Sequence, residues 1–245
     1  MVSEKDSDLF HRSEVFLSHV ASSIKGGLCL AYSYQAEDTV VLDMLLKLGL
    51  SEFDVFTLDT KRLFPEMDVY HKKVEEFFGI DILRCYPDVD EEAELEAKLG
   101  EFGMWDSVES RKYCCDIRKV RPLSRFLQGK SAWFTGLRAS QSETRADMRS
   151  LEYDDQFGLI KINPLVDWSE EAVFAYINER GLPLNPLYGN GFRSIGCSPC
   201  TRPVKAGEDV RAGRWWWEDP NQRECGCMVK YRQEHEQNAA TIKLG

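Results

Sequence analysis

The chain has 245 residues, 43% of them hydrophobic and 29% charged, which fits an ordinary folded protein with room for one large domain or one domain plus a short appendage. No apolar run approaches the roughly 18 residues of a membrane-spanning helix, and the polar start Met1-Val2-Ser3-Glu4-Lys5-Asp6 lacks the basic-then-apolar order of an export signal, so a cytoplasmic address without membrane attachment is expected. The net charge of −10 sits in residues 1–100, with 10 basic and 21 acidic side chains against 21 and 20 in the remainder; this argues against the broad cationic face of a nucleic-acid binder and leaves local cationic clusters for a small anion.

In chain order, Ser13 to Lys25 has helical spacing of Val15, Phe16, Val20 and Ile24. Leu28 to Tyr32 is a short apolar run that predicts a buried strand, and Ser33-Tyr34-Gln35-Ala36-Glu37 turns into a helix ending near Lys47. A strand is predicted over Phe53 to Leu58, a helix from Pro65 to Phe78, a strand over Ile80 to Leu83 and a helix from Glu91 to Leu99. Cys114 to Leu127 reads as helix, interrupted or kinked near Pro122. Ala132 to Gly136 and Leu159 to Ile162 predict two more strands, and Ser169 suits the N-cap of a helix to Arg180. This alternation implies an α/β fold, a mainly parallel sheet with helices on both faces, whose ligands bind beyond the carboxyl ends of the strands. From Leu182 the pattern dissolves into Gly, Pro, Arg and Trp. Residues 1–200 are accordingly read as the α/β domain and 201–245 as a C-terminal arm.

Eight cysteines in a chain without an export signal point to metal binding or thiol chemistry rather than disulfides. Cys197-Ser198-Pro199-Cys200 alone suits a redox dithiol, half of a zinc site or part of a cluster site. Cys114 and Cys115 are adjacent, and neighbours on a helix point about 100° apart, which suits a bulky polynuclear cluster better than one tetrahedral ion. Four thiolates with no histidine nearby in sequence fit a [4Fe–4S] centre. The plain alternative makes Cys114 and Cys115 ordinary half-buried cysteines. Against it stands the run Arg111, Lys112, Arg118, Lys119, Arg121 and Arg125, which favours a bound anion, although a solvated helix face also explains such charge.

Together these elements resemble the assimilatory adenylyl-sulfate reductases, relatives of the phosphoadenylyl-sulfate reductases, over roughly residues 28–230. The resemblance rests on Cys114-Cys115, Cys197-x-x-Cys200 and Glu224-Cys225-Gly226 in that order, with Leu58-Asp59-Thr60, Gly136-Leu137-Arg138 through Arg145, and Arg211 through Glu218. It implies a fold like the adenine-nucleotide alpha hydrolases, and a [4Fe–4S] cluster on the four cysteines that marks preference for adenosine 5′-phosphosulfate. It also implies Cys225 as nucleophile and thioredoxin or a similar dithiol as electron donor, in sulfate assimilation and cysteine biosynthesis. The family's Glu-Cys-Gly-Leu-His is here Glu224-Cys225-Gly226-Cys227-Met228, so its histidine is absent and a second thiol stands close by. Cys227 is either a packing residue or a resolving thiol.

Sulfonyl transfer needs a soft nucleophile and cations around sulfate and phosphate. Cys225, beside Arg223, is the predicted nucleophile, because a nearby cation favours the thiolate. Lys119, Arg138, Arg145, Arg211 and Arg214 are the predicted substrate cations, since arginine binds phosphate and sulfate bidentately. Ser33 opens a strand-to-helix turn whose N–H groups suit the phosphate or sulfate, and Thr60 is expected to help seat the nucleotide. Trp215, Trp216 and Trp217 read either as core or as supports of the arm. The rival substrate is the 3′-phosphorylated nucleotide. Rivals of other classes are a tRNA-thiolating enzyme, disfavoured by the acidic balance, and a non-catalytic nucleotide-binding module with a structural Zn(Cys)₄ site. A homo-oligomer is compatible with the sequence and not specified by it.

Overall fold

The computed structural model describes residues 3–50, 52–219 and 223–224. Helix α1 (Glu4–Ser23) begins well before the predicted Ser13, because Ser3 caps it by accepting the Asp6 N–H at 3.1 Å and the polar first turns still bury Phe10. There follow β1 (Leu28–Ala31), α2 (Ala36–Lys47), β2 (Phe53–Leu58), α3 (Glu66–Phe78), β3 (Ile82–Cys85) and α4 (Val89–Leu99), the last capped by Asp88. The helix expected over Cys114 to Leu127, interrupted or kinked near Pro122, is interrupted and comes in three pieces: α5 (Val108–Cys115), a π-helical turn (Asp116–Val120) and α6 (Arg121–Leu127). The irregularity precedes Pro122 rather than sitting on it. Pro122 lies in the first turn of α6, where a missing N–H matters least. Strands β4 (Ala132–Phe134), β5 (Leu151–Asp154) and β6 (Leu159–Ile162) and helix α7 (Glu170–Arg180) complete the regular elements.

The strand order is β3-β2-β1-β4-β6-β5. All neighbours pair in parallel except β5, which runs antiparallel to β6 at one edge and was not foreseen from the sequence. Side chains alternate between the faces as strand geometry requires. Leu28 and Leu30 of β1, Val55 of β2, and Ala132 and Phe134 of β4 enter the larger core with α1, α2, α3 and α7. Cys29, Phe56, Trp133 and Leu159 enter a smaller core on the opposite face with Leu123 and Leu127 of α6. Burial on both faces accounts for the near-continuous apolar runs in these strands. The expected parallel α/β sheet is thus present.

The sheet grows from β1 through β2 to β3 on one side and through β4 to β6 on the other. The crevice at the carboxyl ends of β1 and β4 is therefore the switch point where such folds bind ligands. Residues 201–219 fold back on the 197–200 turn: Thr201 bridges Arg214, and the Trp215 N–H donates to the Cys200 carbonyl at 3.1 Å.

Candidate functional site

A cavity of about 230 Å³ opens at the carboxyl ends of β1, β2 and β4, and Ser33, Thr60, Lys119, Arg138, Arg145, Arg211 and Arg214 all line it. The turn after β4 presses against the first turn of α2 so closely that a Cβ on Gly136 would lie 2.5 Å from Asp38 Oδ1 and 2.9 Å from the Asp38 nitrogen. Only glycine allows that approach. Tyr34 stands in the left-handed region at φ 64°. Asn185 donates to its carbonyl at 2.9 Å, and its hydroxyl is hydrogen-bonded to His71 Nδ1 at 2.8 Å.

Arg138, Arg145, Arg211 and Arg214, four of the predicted cations, all have protein partners, and so has Ser33. The N–H and hydroxyl of Ser33 both donate to Asp38 Oδ2 at 2.7 Å, so an internal carboxylate takes the donors expected to meet an anion. Burial pushes the Asp38 carboxyl up to about 7, with the Ser33 hydrogen bonds pulling the other way. Arg138, 3% exposed, donates to Glu37 Oε1 at 2.9 Å, to Ser140 Oγ at 2.7 Å and to the Trp168 carbonyl at 3.3 Å. It is a structural member of the wall as well as a cation. Arg214 donates to the Ile195 carbonyl at 3.1 Å and lies with its guanidinium carbon 4.5 Å from the Trp215 ring centre. A Cβ on Gly196 would meet its Nη2 at 2.4 Å. Arg145 and Arg211 converge on the carboxylate of Glu224, at 3.1 and 3.0 Å. Thr60 Oγ1 lies 3.2 Å from Cys197 Sγ, and its carbonyl accepts from Arg118 at 2.9 Å.

A second, smaller cavity of about 30 Å³ abuts the first, and Cys114, Cys115, Cys197 and Cys200 all line it. Lys119, Cys197 and Trp215 belong to the walls of both cavities. The adjacent pair sits at the carboxyl end of α5, where the π-helical turn begins, and of the C-x-x-C pair Cys197 precedes the Ser198–Cys200 turn and Cys200 ends it. Trp105 Nε1 steadies that turn by donating to the Pro199 carbonyl at 3.0 Å. Burial raises the Cys114 thiol; burial and the neighbouring Cys197 and Cys115 raise that of Cys200. Arg111, fully buried, donates to Glu218 at 2.6 Å and stacks 4.7 Å from the Trp215 ring centre. Among the described residues no three His, Cys, Asp or Glu side chains close round one point as ligands of a single metal ion. The donor chemistry, four soft sulfurs on one cavity wall with cations close by, suits a soft-metal centre.

Cys225 and Cys227 lie outside the described residues. Sequence reasoning missed Glu37 and the Asp38 carboxylate as parts of the site, and took Arg111 only as one of a cationic run and Trp215 only as core or a support of the arm. An acidic first turn of a helix reads as a match to the helix dipole, so nothing in Glu37-Asp38 announced a pocket wall. Among the described residues no helix is long and apolar enough to cross a membrane.

Residues 27–203 match the family model described as "Phosphoadenosine phosphosulfate reductase domain". The chain is 48% identical over 199 residues to an adenosine 5′-phosphosulfate reductase of Allochromatium vinosum, covering 81% of this chain and 77% of that one. It is 48% identical over 197 residues to a protein of the same name from Neisseria meningitidis, covering 80% of each. Among solved structures, a phosphoadenylyl-sulfate reductase of Candida auris in complex with phosphate matches with TM-score 0.63 at 27% identity, over 81% of this chain and 97% of that one. A yeast FAD synthetase with TM-score 0.60 at 14% identity, covering 83% of this chain and 70% of that one, shares the fold.

Proposed function

The chain belongs to the phosphoadenosine phosphosulfate reductase domain family, and from that premise we propose that it reduces adenosine 5′-phosphosulfate to sulfite and AMP, with Cys225 as the nucleophile. The observation that carries this reading is the meeting of two walls: a pocket holding all seven expected substrate residues abuts a cavity lined by the four cysteines. The substrate's nucleotide takes the crevice at β1 and β4. Its phosphate and sulfate face Lys119, Arg145, Arg211 and Arg214, while Arg138, held by Glu37, shapes the wall.

The reaction balances in two steps. The Cys225 thiolate attacks the sulfate sulfur, the bond from that sulfur to the bridging phosphate oxygen breaks, and AMP leaves with the electron pair. A cysteine S-sulfonate remains. One thiol of an external dithiol, thioredoxin or a similar protein, then attacks Cys225 Sγ and expels sulfite. Its second thiol closes the dithiol to a disulfide, returns Cys225, and so completes the two-electron reduction.

Cys114, Cys115, Cys197 and Cys200 hold a [4Fe–4S] cluster in this reading. Bound there, it would supply a fixed charge beside the pocket, and its four cysteine ligands would link α5 to the 197–200 segment. Lys119, common to both walls, meets the substrate's anionic end where the two cavities abut. Residues 201–245 serve as the arm that brings the nucleophile. The cytoplasm, with its reduced dithiols, is the fitting compartment, and the place in metabolism is sulfate assimilation toward cysteine.

The test is anaerobic purification followed by sulfite release with adenosine 5′-phosphosulfate and with its 3′-phosphorylated form. The first substrate is expected to give the higher kcat/KM. Equal or better turnover of the second overturns the substrate assignment. In single turnover without reductant, Cys225→Ser abolishes the sulfonated adduct and Cys227→Ser keeps it; an adduct that survives loss of Cys225 overturns the nucleophile.

A further inference from the structure

Glu224 is 8% exposed, and every oxygen that it offers is held. Its Oε1 accepts from Arg145 Nη2 at 3.1 Å and from Arg211 Nη2 at 3.0 Å. Its Oε2 accepts from Thr144 Oγ1 at 2.7 Å, with Ser142 Oγ at 3.5 Å. Its main-chain carbonyl accepts from Arg111 Nη1 at 3.1 Å, and Arg111 is itself fixed by Glu218. One residue further back, the Arg223 carbonyl accepts from Arg211 at 3.2 Å. Three separate stretches of chain, residues 142–145, Arg211 and helix α5, thus converge on a single glutamate. A carboxylate taken out of water is costly unless paired and hydrogen-bonded. Two guanidiniums and two hydroxyls answer that cost here. Arg145 and Arg211 also line the large pocket, so this carboxylate is tied to the pocket wall itself.

We infer that Glu224 is a positioning residue, a tether that fixes where the adjacent Cys225 begins its attack. The inference rests on the reading of Cys225 as nucleophile. Consecutive Cα atoms lie about 3.8 Å apart, so a clamp on Glu224 by both its side chain and its carbonyl sets the point from which the chain continues to Cys225. The clamp supplies approach geometry and donates no proton to the reaction. The rival account makes Glu224 an internal counter-ion that neutralises two arginines until the substrate's anion displaces it.

Three measurements separate these. Glu224→Gln preserves shape and removes the charge. Thr144→Val removes the donor to the other oxygen, and Thr144 does not line the pocket. The single-turnover rate of S-sulfonate formation is expected to fall about 100-fold in Glu224→Gln, the size of a misplaced reacting group. In Thr144→Val it falls about 3- to 10-fold, as for one lost hydrogen bond. The dissociation constant for AMP stays within about threefold in both, because binding and approach are separate. Amide hydrogen exchange of the peptide spanning 223–228, read without substrate, speeds up about tenfold in Glu224→Gln, which corresponds to weakened local closure. A Glu224→Gln rate within about twofold of wild type, or tighter AMP binding with that rate retained, overturns positioning in favour of the counter-ion. Unchanged exchange overturns the tether. If wild type forms no adduct on Cys225 while Glu224→Gln still loosens the peptide, the tether stands and the functional reading falls.

Discussion

The large pocket is walled by strand ends, the first turn of α2 and a glycine turn, with three of its arginines matched by carboxylates: Glu37 faces Arg138, and Glu224 faces Arg145 and Arg211. The cysteine cavity beside it is walled by thiols from the end of α5 and from the 197–200 segment, with the Cys114 and Cys200 thiols raised and Leu95, Leu99, Met104 and Trp215 as its apolar lining. The pocket inherits its shape from the two hydrophobic cores of the sheet. The cavity has only a small cluster of its own and joins segments far apart in the chain. A site built on a sheet should hold its form through changes in ligand. A site built from four sulfurs on two short segments should depend on what those sulfurs bind.

The largest effect expected from that contrast lies in the cavity. Cys200→Ala should lose iron and acid-labile sulfide together and lower kcat by more than about 100-fold, while AMP affinity changes by less than about threefold. Metal analysis and calorimetry read the two halves. Loss of AMP binding along with iron breaks the contrast and makes the two cavities one unit.

Within the pocket, Arg138→Met should cost about 3–5 kcal/mol in denaturant unfolding, because it strands the buried Glu37 carboxylate. The double change with Glu37→Gln should recover most of that loss. Failure to recover it would show that Arg138 matters through the Ser140 and Trp168 contacts instead.

The smallest effect concerns pH. Asp38 titrates near 7 in the fold against 3.8 for an ordinary aspartate, because it is buried. Its raised value means that the folded state keeps a proton that the unfolded chain has already released. The stabilisation is complete below the unfolded value and is lost as pH rises through about 7, at about 1.4 kcal/mol between pH 6 and pH 8. Asp38→Asn should flatten that slope in thermal unfolding. A slope that survives the substitution belongs to another group.

Much of the sheet was legible because its central strands are buried on both faces and read as apolar runs, as at Leu28 to Ala31 and Phe53 to Leu58. Strand β5 was not, since Leu151 and Tyr153 are 46% and 58% exposed and its partner-facing signal is weak at a sheet edge. The π-helical turn after Cys115 was equally hidden: it is defined by backbone pairing, and Pro122 drew attention to a bend that lies elsewhere. At the site, the cations and cysteines were legible as residue types. Their partners were not, because Glu37, Asp38 and Glu218 acquire meaning only when α2 and residues 211–218 come to lie against β4 and α5.

Trp215 adopts φ 44° and is fully buried, with the guanidinium carbons of Arg111 and Arg214 4.7 and 4.5 Å from its ring centre, in the wall common to both cavities. An indole in that place is an optical gauge. A light-absorbing centre on the cysteine side drains its emission by energy transfer, and an anion entering on the nucleotide side draws the arginines and shifts the emission maximum. Five other tryptophans also emit, so the two unlike signals of this ring, quenching for one cavity and colour for the other, would be read as the difference between the wild-type and Trp215→Phe titrations, without any added label.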